Sequence, residues 1–396
     1  MEWKEDVLGN VLEVKYGKDH KKLADGQYPV YGSGGLMRYV DSKLYDGPSI
    51  LIPRKGTLNN IMFVDSPFWT VDTMFWSIIN TDKVDPKFLF YSICKRDFAS
   101  MNVGSAVPSM TVNILNDIQI SYPKNISDQR RIASILSSLD RKIELNNKIN
   151  ADLEEMAQAI FKNWFVDFEP FKDGKFVDSE LGMIPEGWKV GSYSVMIESL
   201  ISGDWGKDNP QGNYTHEVAC VRGCDFQDIN NGVRGKTPQR YILEKNYQAK
   251  HLKDKDILVE ISGGTATVST GRTSLVTEEL LKKYQYDIVC TNFCKVLRPL
   301  SQFSSYVYYS WKYKYDNDIM FGYENGTSGI KNFAIKDFIE KEPVLIPKEQ
   351  DIVEFQQIID NLQKQKQIKG TENTTLSLLR DTLLPRLMSG ELEVPE

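Results

Sequence analysis

The chain has no run of about 18 apolar residues, the length that a membrane-spanning helix needs. Its first residues, "MEWKEDVLGN", are charged and lack the apolar stretch of a secretory signal. We therefore expect a cytoplasmic protein with no membrane partner. With 396 residues, 41% of them hydrophobic and 11% aromatic, the chain is long enough for two or three domains with their own cores.

Motifs of several enzyme classes are also missing. There are 3 histidines and no H-E-x-x-H motif, which argues against a hydrolytic metal site. An amino-methyltransferase needs Asn/Asp-Pro-Pro-aromatic, whereas the nearest string, "DNPQ" (208–211), lacks the second proline and the aromatic residue. "NNGVRGKT" resembles a phosphate-binding loop, but Asn230 stands where the first glycine is required. We predict no catalytic residue, no cofactor and no metal in this chain.

Cysteine is scarce. Four of the 5 cysteines form two C-x3-C pairs, Cys220/Cys224 and Cys290/Cys294. A four-cysteine zinc site is one interpretation, but structural zinc pairs usually have two residues between ligands, and both pairs lie in strand-like runs. Buried thiols in a reducing compartment are the alternative, and the spacing favours it.

The net charge of −6 does not exclude DNA binding, because only the contacting face must be positive. The stretch "VRGKTPQR" carries Arg234, Lys236 and Arg240 without an acidic residue between them. A basic loop on a DNA-facing surface and an ordinary solvated loop both fit this stretch.

An internal repeat organises the chain. "EWKEDVLGNVLE" (2–13) aligns with "GWKVGSYSVMIE" (187–198), and "SILIPRKG" (49–56) resembles "DILVEISGG" (256–264). Each copy ends in an acid–Gln pair, 128–129 and 349–350, which opens a long helix. The repeat predicts a tandem duplication of one mixed unit and one helix.

The first helix is predicted from a run without glycine or proline, from Asp128 to Glu169, which corresponds to about 60 Å. Its apolar heptad is interrupted in the middle by Asn146 and Asn150, as in coiled coils that trade stability for register. A helix lying on its own domain is the alternative. The apolar heptad positions are Ile132, Leu136, Leu139, Ile143, Leu153, Ala157, Ile160 and Trp164.

The closing helix repeats this pattern, with Asn373 in the place of Asn150. We expect Gly370 and Pro385 to break or kink it. The predicted fold class is α+β: two pseudo-repeated mixed α/β domains joined by two long antiparallel coiled-coil helices. The predicted boundaries are 1–126 for the first domain, 127–172 for the central helix, 173–347 for the second domain and 348–396 for the C-terminal helix.

This layout resembles the specificity subunit of type I restriction–modification systems over essentially the whole chain. The resemblance is carried by the order of short motifs, which occur in both halves. They are "YPVYGSGG" (28–35), "ILIPRKG" (50–56), "PFWTVDTMF" (67–75), "SGDWG" (202–206), "CTNF" (290–293), the helix "LDRKIELNNKINADLEEMAQAIFKNWFVDF" (139–168) and the ending "LLPRLMSGEL" (383–392).

The resemblance implies that the two mixed domains are target-recognition domains joined by an antiparallel helix pair, in a non-catalytic subunit that recognises double-stranded DNA. It would direct two adenine-N6 methyltransferase subunits and ATP-dependent translocase–nuclease subunits to an asymmetric site in two parts. S-adenosylmethionine, ATP and Mg would belong to those partner subunits. A subunit serving methylation only, and a coiled-coil protein adaptor without DNA binding, are the other interpretations. A self-contained DNA enzyme is disfavoured by the missing motifs.

Base recognition requires donors, backbone amides and small residues that allow close approach to a groove. Each loop below is also open to the simpler interpretation of an ordinary turn. The candidates for DNA binding are Ser33, Gly34, Gly35, Arg54, Lys55, Gly56, Asn59, Ser105, Ser109, Arg222, Arg234, Lys236, Arg240, Ser262, Gly263, Gly264, Thr265, Arg272, Thr327, Ser328 and Lys331.

Two further sets belong to the helices. Asn146, Asn150 and Asn373 are expected to set the register of the helix pair. Residues near the helix ends are expected either to dock partner subunits or to close the core of the helix pair; these are Trp164, Phe165, Phe168, Leu387 and Met388.

Overall fold

A computed structural model describes residues 1–102, 108–265, 267–326 and 331–394. The chain folds into two units, one formed by residues 1–142 with 376–396 and the other by residues 143–375. Each of the two long helices contributes residues to both units.

The first unit is built mainly from short strands around two apolar cores. Two short helices, α1 (Pro86–Ile93) and α2 (Val112–Asn116), precede the long helix α3 (Ile126–Phe165). The strands are β1 (Trp3–Val7), β2 (Leu12–Tyr16), β3 (Tyr28–Gly32), β4 (Gly35–Val40), β5 (Ser49–Pro53), β6 (Met62–Val64), β7 (Trp69–Thr70), β8 (Met74–Ile79) and β9 (Gln119–Pro123).

These strands form three sheets. β1 pairs with β9 in an antiparallel ribbon, a four-stranded sheet has the order β2-β8-β5-β6, and a three-stranded sheet has the order β4-β3-β7. In the last sheet β3 is antiparallel to β4 and parallel to β7. Strand β5 of the four-stranded sheet reads as the nearly continuous apolar run "SILIP" because it is buried along its whole length.

The second unit has more elements. Its helices are α4 (Phe226–Asn230), α5 (Glu244–Lys250), α6 (Glu278–Leu281), α7 (Ser304–Asp316), α8 (Ile335–Lys341) and the long closing helix α9 (Glu349–Met388). Its strands are β10 (Phe176–Val177), β11 (Ile184–Pro185), β12 (Lys189–Ser192), β13 (Ile197–Ser202), β14 (Tyr214–Val221), β15 (Gln239–Leu243), β16 (Ile257–Glu260), β17 (Ser262–Gly263), β18 (Thr273–Leu275), β19 (Ile288–Cys290), β20 (Cys294–Pro299), β21 (Glu324–Asn325), β22 (Lys331–Phe333) and β23 (Pro343–Ile346).

The two units share one topology. The second has the ribbon β12–β23, the four-stranded order β13-β20-β16-β18 and the three-stranded order β15-β14-β19. Here too the central strand β14 is antiparallel to one neighbour and parallel to the other. Each strand of these three sheets corresponds in order and pairing to one of the first unit, which confirms the predicted repeat. The ribbon β10–β11 and a small sheet, β17-β22-β21, are additional in the second unit.

The long helices run antiparallel where they pack together. In the first unit Arg380 Nη1 lies 2.7 Å from Asp140 Oδ1. In the second unit Lys366 Nζ lies 2.5 Å from Glu154 Oε2, and the rings of Phe161 and Phe355 are in contact. In these contacts the residue numbers along α9 decrease as the residue numbers along α3 increase, which is the antiparallel arrangement. The predicted heptad positions of α3 are all buried or half-buried, in agreement with the predicted seam.

The expected break at Gly370 is wrong, because α9 continues without interruption from Glu349 to Met388. Pro385 lies one turn before the end of α9 and also leaves it unbroken. Glycine in a helix interior costs roughly 1 kcal/mol relative to alanine, so a packing contact has to offset it. Gly370 has such a contact, with the backbone of Gly232. Within the described residues, no helix is both long and apolar enough to cross a membrane.

Candidate nucleic-acid interface

Three loops meet at one end of the first unit, and together they carry the predicted DNA-binding residues. They are the β3–β4 turn (33–34), the segment after β5 (54–60) and the segment before α2 (108–110). Asn60 Nδ2 donates to the Ser33 carbonyl oxygen at 2.8 Å, which joins the first loop to the second. Gly56 N donates to the Pro108 carbonyl oxygen at 3.2 Å, which joins the second to the third. We call these segments the first loop cluster.

The backbone of this cluster has little room for side chains. Gly56 has φ +91°, and a methyl group there would lie 3.0 Å from Ser33 Oγ. Lys55 and Ser109 form an isolated antiparallel bridge beside it. By contrast, a methyl group on Gly34 or Gly35 would meet nothing within 4 Å of the described residues, so the backbone of the β3–β4 turn is open at these positions.

The basic residues of the first loop cluster differ in how they are held. Arg54 Nη1 donates to the Asp72 carbonyl oxygen at 3.2 Å, and its guanidinium lies 5.6 Å from the ring centroid of Tyr16. Lys55 is exposed and has no ion-pair partner in the described part of the chain. Arg54 is thus oriented in advance, whereas the side chain of Lys55 is not held by any ion pair of the described residues. Asn59 is committed to the fold, because its amide bonds Asp97 Oδ1 at 3.2 Å and Ala99 N at 2.9 Å.

Three corresponding segments meet in the second unit. They are the loop between β14 and β15 (222–238), the segment between β16 and β18 (261–272) and the strand β22. Arg272 Nη2 donates to the Gly223 carbonyl oxygen at 3.4 Å, and β17 pairs with β22 through Gly263 and Lys331. We call these segments the second loop cluster. Each takes the same place in the topology as one segment of the first loop cluster.

Several cations of the second loop cluster are paired with carboxylates. Arg222 holds Asp225 through two nitrogens at 3.1 Å, and Arg272 holds Glu260 at 2.8 and 2.9 Å. These hydrogen bonds raise the pKa of both guanidinium groups. Lys331 Nζ lies 2.6 Å from Glu324 Oε2. Such pairs fix the direction of each cation and leave the remaining N–H groups for a ligand.

Arg234 and Lys236 remain exposed. The guanidinium of Arg234 lies 5.7 Å from the ring centroid of Tyr284, and Lys236 has no ion-pair partner among the described residues. Thr265 closes the turn of its own loop, since its Oγ1 accepts from Thr267 N at 3.2 Å and Val268 N at 3.0 Å.

The structure does not bring Arg240 to this surface. Its residue surface is 4% exposed, and its guanidinium lies 4.1 Å from the ring centroid of Trp205. Nε donates to the Trp205 carbonyl oxygen at 2.8 Å, and Nη1 forms an ion pair with Asp208. Burial lowers the pKa of this guanidinium. Arg240 therefore stabilises the fold through its contacts with Trp205 and Asp208. Its position in a basic stretch of sequence does not indicate this structural role.

Three of the predicted DNA-binding residues lie outside the described residues: Ser105, Thr327 and Ser328.

The register asparagines are buried in the second unit. Asn146 Nδ2 donates to Asn373 Oδ1 at 2.9 Å, and Asn373 Nδ2 donates to Asn147 Oδ1 at 2.9 Å. Asn150 does not face its repeat counterpart. Its Nδ2 donates to the carbonyl oxygens of Asn231, at 2.9 Å, and Lys366, at 3.3 Å.

The residues predicted either to dock partners or to close the core are placed mostly inside. Phe165 packs between Tyr306 and Phe355 in the core of the second unit, and Leu387 is fully buried in the core of the first. Trp164, Phe168 and Met388 are half-buried against these cores.

Other apolar residues of the helices are exposed, and the sequence reasoning missed them. Leu145 and Met156 are each 51% exposed on α3, and Ile368 and Leu379 are 46% and 44% exposed on α9. Each member of the first pair corresponds to one of the second at the helix repeat offset of 223. The sequence does contain a signal for these four residues: they are apolar, they lie outside the heptad seam, and they recur at the repeat offset.

The arrangement offers little for metal or thiol chemistry. In the described ranges, no group of three His, Cys, Asp or Glu side chains is placed to hold a metal ion. Burial raises the pKa of Cys220 and of Cys294 to about 12. Since the thiolate is the form that binds metals and attacks electrophiles, burial works against both roles.

Comparison with known proteins gives consistent matches. Residues 1–155 match the family described as Type I restriction modification DNA specificity domain. The chain is 27% identical over 408 residues to the Type I restriction enzyme MjaIX specificity subunit of Methanocaldococcus jannaschii, covering 95% of this chain and 86% of that protein. It is 24% identical to the HindI specificity subunit of Haemophilus influenzae, with 84% and 83% covered.

Among solved structures, the S subunit of a type I restriction–modification system from M. genitalium superposes with a TM-score of 0.58. The match covers 98% of this chain and 96% of the other, at 14% sequence identity. At that identity the match shows the fold, which agrees with the two repeated units and the long helices described above.

Proposed function

Because the chain belongs to the type I restriction–modification specificity subunits, we propose that it reads an asymmetric DNA sequence in two parts, one with each loop cluster. The observation that carries this proposal is the meeting of three corresponding loops in both units, with glycines and basic residues on each set. The two clusters differ in length and side chains, so the half-sites are expected to differ in sequence. The contribution of this chain is recognition and not catalysis.

The two kinds of cation in the clusters suit two kinds of contact. Lys55, Arg234 and Lys236 are exposed and form no ion pair among the described residues, as contacts to phosphate require. Arg222 and Arg272 are held in fixed directions by carboxylates and backbone carbonyl oxygens, which leaves the two Nη1 N–H groups of each for an acceptor on a base edge. Affinity would then come mainly from the first set and specificity from the second.

We further propose that the helices dock two adenine-N6 methyltransferase subunits. Leu145 and Met156 are eleven residues apart on α3, about three turns, and so lie on one face of that helix. Ile368 and Leu379 repeat this spacing on α9. Two equivalent apolar faces fit two copies of one partner.

ATP-dependent translocase–nuclease subunits complete the proposed complex. S-adenosylmethionine would bind to the methyltransferase subunits, and ATP and Mg to the translocase. This chain is proposed to hold no cofactor of its own and to act on the genome in the cytoplasm.

The test is to co-express the full chain with its methyltransferase subunit in a host without adenine methylation and to map methylated adenines across the genome. One asymmetric motif in two parts with a constant gap is the expected result. A continuous motif would mean that only one loop cluster reads DNA. No motif from an assembled complex would favour the protein adaptor without DNA binding.

A second measurement distinguishes a complete restriction system from one that serves methylation only. Cells carrying all the subunits are challenged with phage DNA that lacks the mapped methylation. A large drop in plating efficiency is expected if a nuclease partner exists, whereas equal plating of methylated and unmethylated phage would support methylation alone.

A further inference from the structure

The 222–238 loop of the second loop cluster touches helix α9 backbone to backbone. A methyl group on Gly370 would overlap the carbonyl oxygen of Gly232. A methyl group on Gly232, which has φ +73°, would lie 2.6 Å from the carbonyl oxygen of Lys366. Glycine at both positions is therefore what allows the loop and the helix to approach this closely.

Two polar side chains hold the same contact. Asn150 Nδ2 on α3 bridges the carbonyl oxygens of Asn231 and Lys366. Lys283 Nζ donates to the Gly232 carbonyl oxygen, to Gln367 O at 3.2 Å and to Gln367 Oε1 at 2.7 Å. Burial lowers the pKa of Lys283 to about 8. We define the loop anchor as Asn150, Gly232, Lys283 and Gly370.

The anchored loop is the one that carries basic candidates for DNA contact. Arg234 follows Gly232 by two residues and Lys236 by four, and both are exposed. At the other end of the loop, Arg222 donates to the Lys236 carbonyl oxygen at 2.8 Å. A shift of Gly232 would therefore be transmitted to all three cations. The corresponding loop of the first unit is a short turn held by Asn60 and does not need such a support.

We propose that the loop anchor is a positioning contact that sets the orientation of the 222–238 loop against the helix pair and so determines how stringently the second half-site is read. This inference rests on the proposed function. The ammonium group of Lys283 points at protein carbonyl oxygens, so its role is to place the loop rather than to touch DNA.

The experiment uses the full chain in complex with its methyltransferase subunits and compares two variants with matched controls. Lys283→Met removes the three hydrogen bonds and keeps a long side chain. Gly370→Ala separates the two backbones while improving helix propensity. The control for the first is Lys282→Met, an exposed neighbour that pairs with Glu278. The control for the second is Gly322→Ala, where a methyl group meets nothing within 4 Å.

Genome-wide mapping of methylated adenines gives the readout. We expect each anchor variant to methylate sites with a single mismatch in one half of the motif about tenfold more often than the wild type, because a mismatched base pair ordinarily costs about 1–3 kcal/mol. The other half of the motif and both control variants should keep wild-type stringency. Arg222→Lys identifies the affected half independently, since Arg222 lies on the same loop and is a proposed base contact.

The inference is overturned if both halves relax together, if neither relaxes, or if methylation falls evenly at all sites. A failure of the proposed function is distinguishable, because the wild-type complex would then show no motif in two parts. If the Gly370→Ala variant does not co-purify with the methyltransferase, the Lys283→Met variant alone tests the inference. Lys283 is half-buried, so the melting temperature of this variant is measured together with its methylation map to show that it is folded.

Discussion

Asn146 Nδ2 donates to Asn373 Oδ1 at 2.9 Å between two long helices whose other central contacts include a buried ion pair. Asn146 is fully buried and Asn373 is 5% exposed. Asn146 Oδ1 has no hydrogen-bond partner among the described residues. A buried amide pair of this kind contributes little net stability and much preference for one register, because any other register leaves both amides unpaired.

Replacing Asn373 alone by leucine is expected to lower the free energy of unfolding by about 1–3 kcal/mol, because it strands the buried amide of Asn146. Replacing both by leucine is expected to restore or exceed wild-type stability, since no buried amide then remains unpaired and the exposed Asn147 can bond to water in place of Asn373. Urea denaturation of the four members of this double-mutant cycle measures the difference. A double variant that loses the sum of the two single losses would contradict the pairing.

The buried ion pair between Glu154 and Lys366 gives a pH dependence. Burial acts to raise the pKa of Glu154, but the charge and hydrogen bond of Lys366, with smaller effects of Lys312 and Gln158, together hold the pKa below its ordinary value of 4.5. A lowered folded pKa means that the stabilisation is complete above pH 4.5 and is lost as the pH falls through the folded value. Gln158 Nε2, 3.2 Å from Glu154 Oε1, also favours the carboxylate.

Glu154→Gln is expected to lower the free energy of unfolding by about 3–5 kcal/mol at pH 7, because Lys366 is left buried without a counter-charge. The variant should also lose stability less steeply than the wild type below pH 4.5. Denaturation midpoints measured from pH 3 to 7 test both expectations. Parallel pH curves for the variant and the wild type would show that Glu154 is not the titrating group.

Arg240 is expected to contribute to stability and not to DNA affinity. Arg240→Lys keeps the charge but loses the planar stack on Trp205 and most of the fork of hydrogen bonds, which we expect to cost about 1–3 kcal/mol in unfolding free energy. Arg234→Lys, an exposed control from the same stretch, should change stability by less than about 0.5 kcal/mol. If the Arg240→Lys variant keeps wild-type stability but binds DNA more weakly, Arg240 contributes to DNA binding and this expectation is wrong.

These residues show what sequence alone predicts here. The repeat and the heptad seam were predictable, because each depends on a period that the sequence displays directly. The order of strands within each unit was not, because it depends on pairing between segments that are distant in sequence. The hydrogen-bond partner of Asn373 could not be predicted from the repeat. The repeat relates Asn373 to Asn150, whereas the antiparallel packing of the helices places Asn373 against Asn146. Gly370 looked like a helix breaker because its compensating contact, Gly232, lies 138 residues away in sequence. Loop cations were recognisable, but their carboxylate partners depend on the tertiary fold.

The exposed apolar faces of the helices predict the stoichiometry of the complex. Leu145→Lys with Met156→Lys is expected to remove one methyltransferase subunit, and Ile368→Lys with Leu379→Lys the other, because a charged side chain in an apolar interface core costs several kcal/mol. Native mass spectrometry of the purified complex counts the subunits.

Leu378→Lys is the matched control for these variants. Leu378 is 69% exposed, the highest value among the exposed large apolar side chains of the described residues, but its repeat counterpart is Glu155. It therefore lies off the shared face, and two methyltransferase subunits should remain bound. Loss of a subunit from this variant would mean that exposure alone, and not the repeated face, marks the docking site.

The two unpaired lysines of the loop clusters predict the salt dependence of DNA binding. Lys55→Ala and Lys236→Ala are each expected to reduce the slope of log affinity against log salt by about 1, and the double variant by about 2, because each lysine releases about one counterion from phosphate. Fluorescence anisotropy of the assembled complex with its mapped site, over a salt series, measures the slope. The control is Lys124→Ala. Lys124 lies in the segment that leads to α3, and its side chain pairs with Glu2, so this variant should leave the slope unchanged. Lys55→Ala could instead relax the sequence read by the first loop cluster without changing the slope of log affinity against log salt. That result would mean that Lys55 contacts a base edge, and the division into exposed phosphate contacts and fixed base contacts would be wrong.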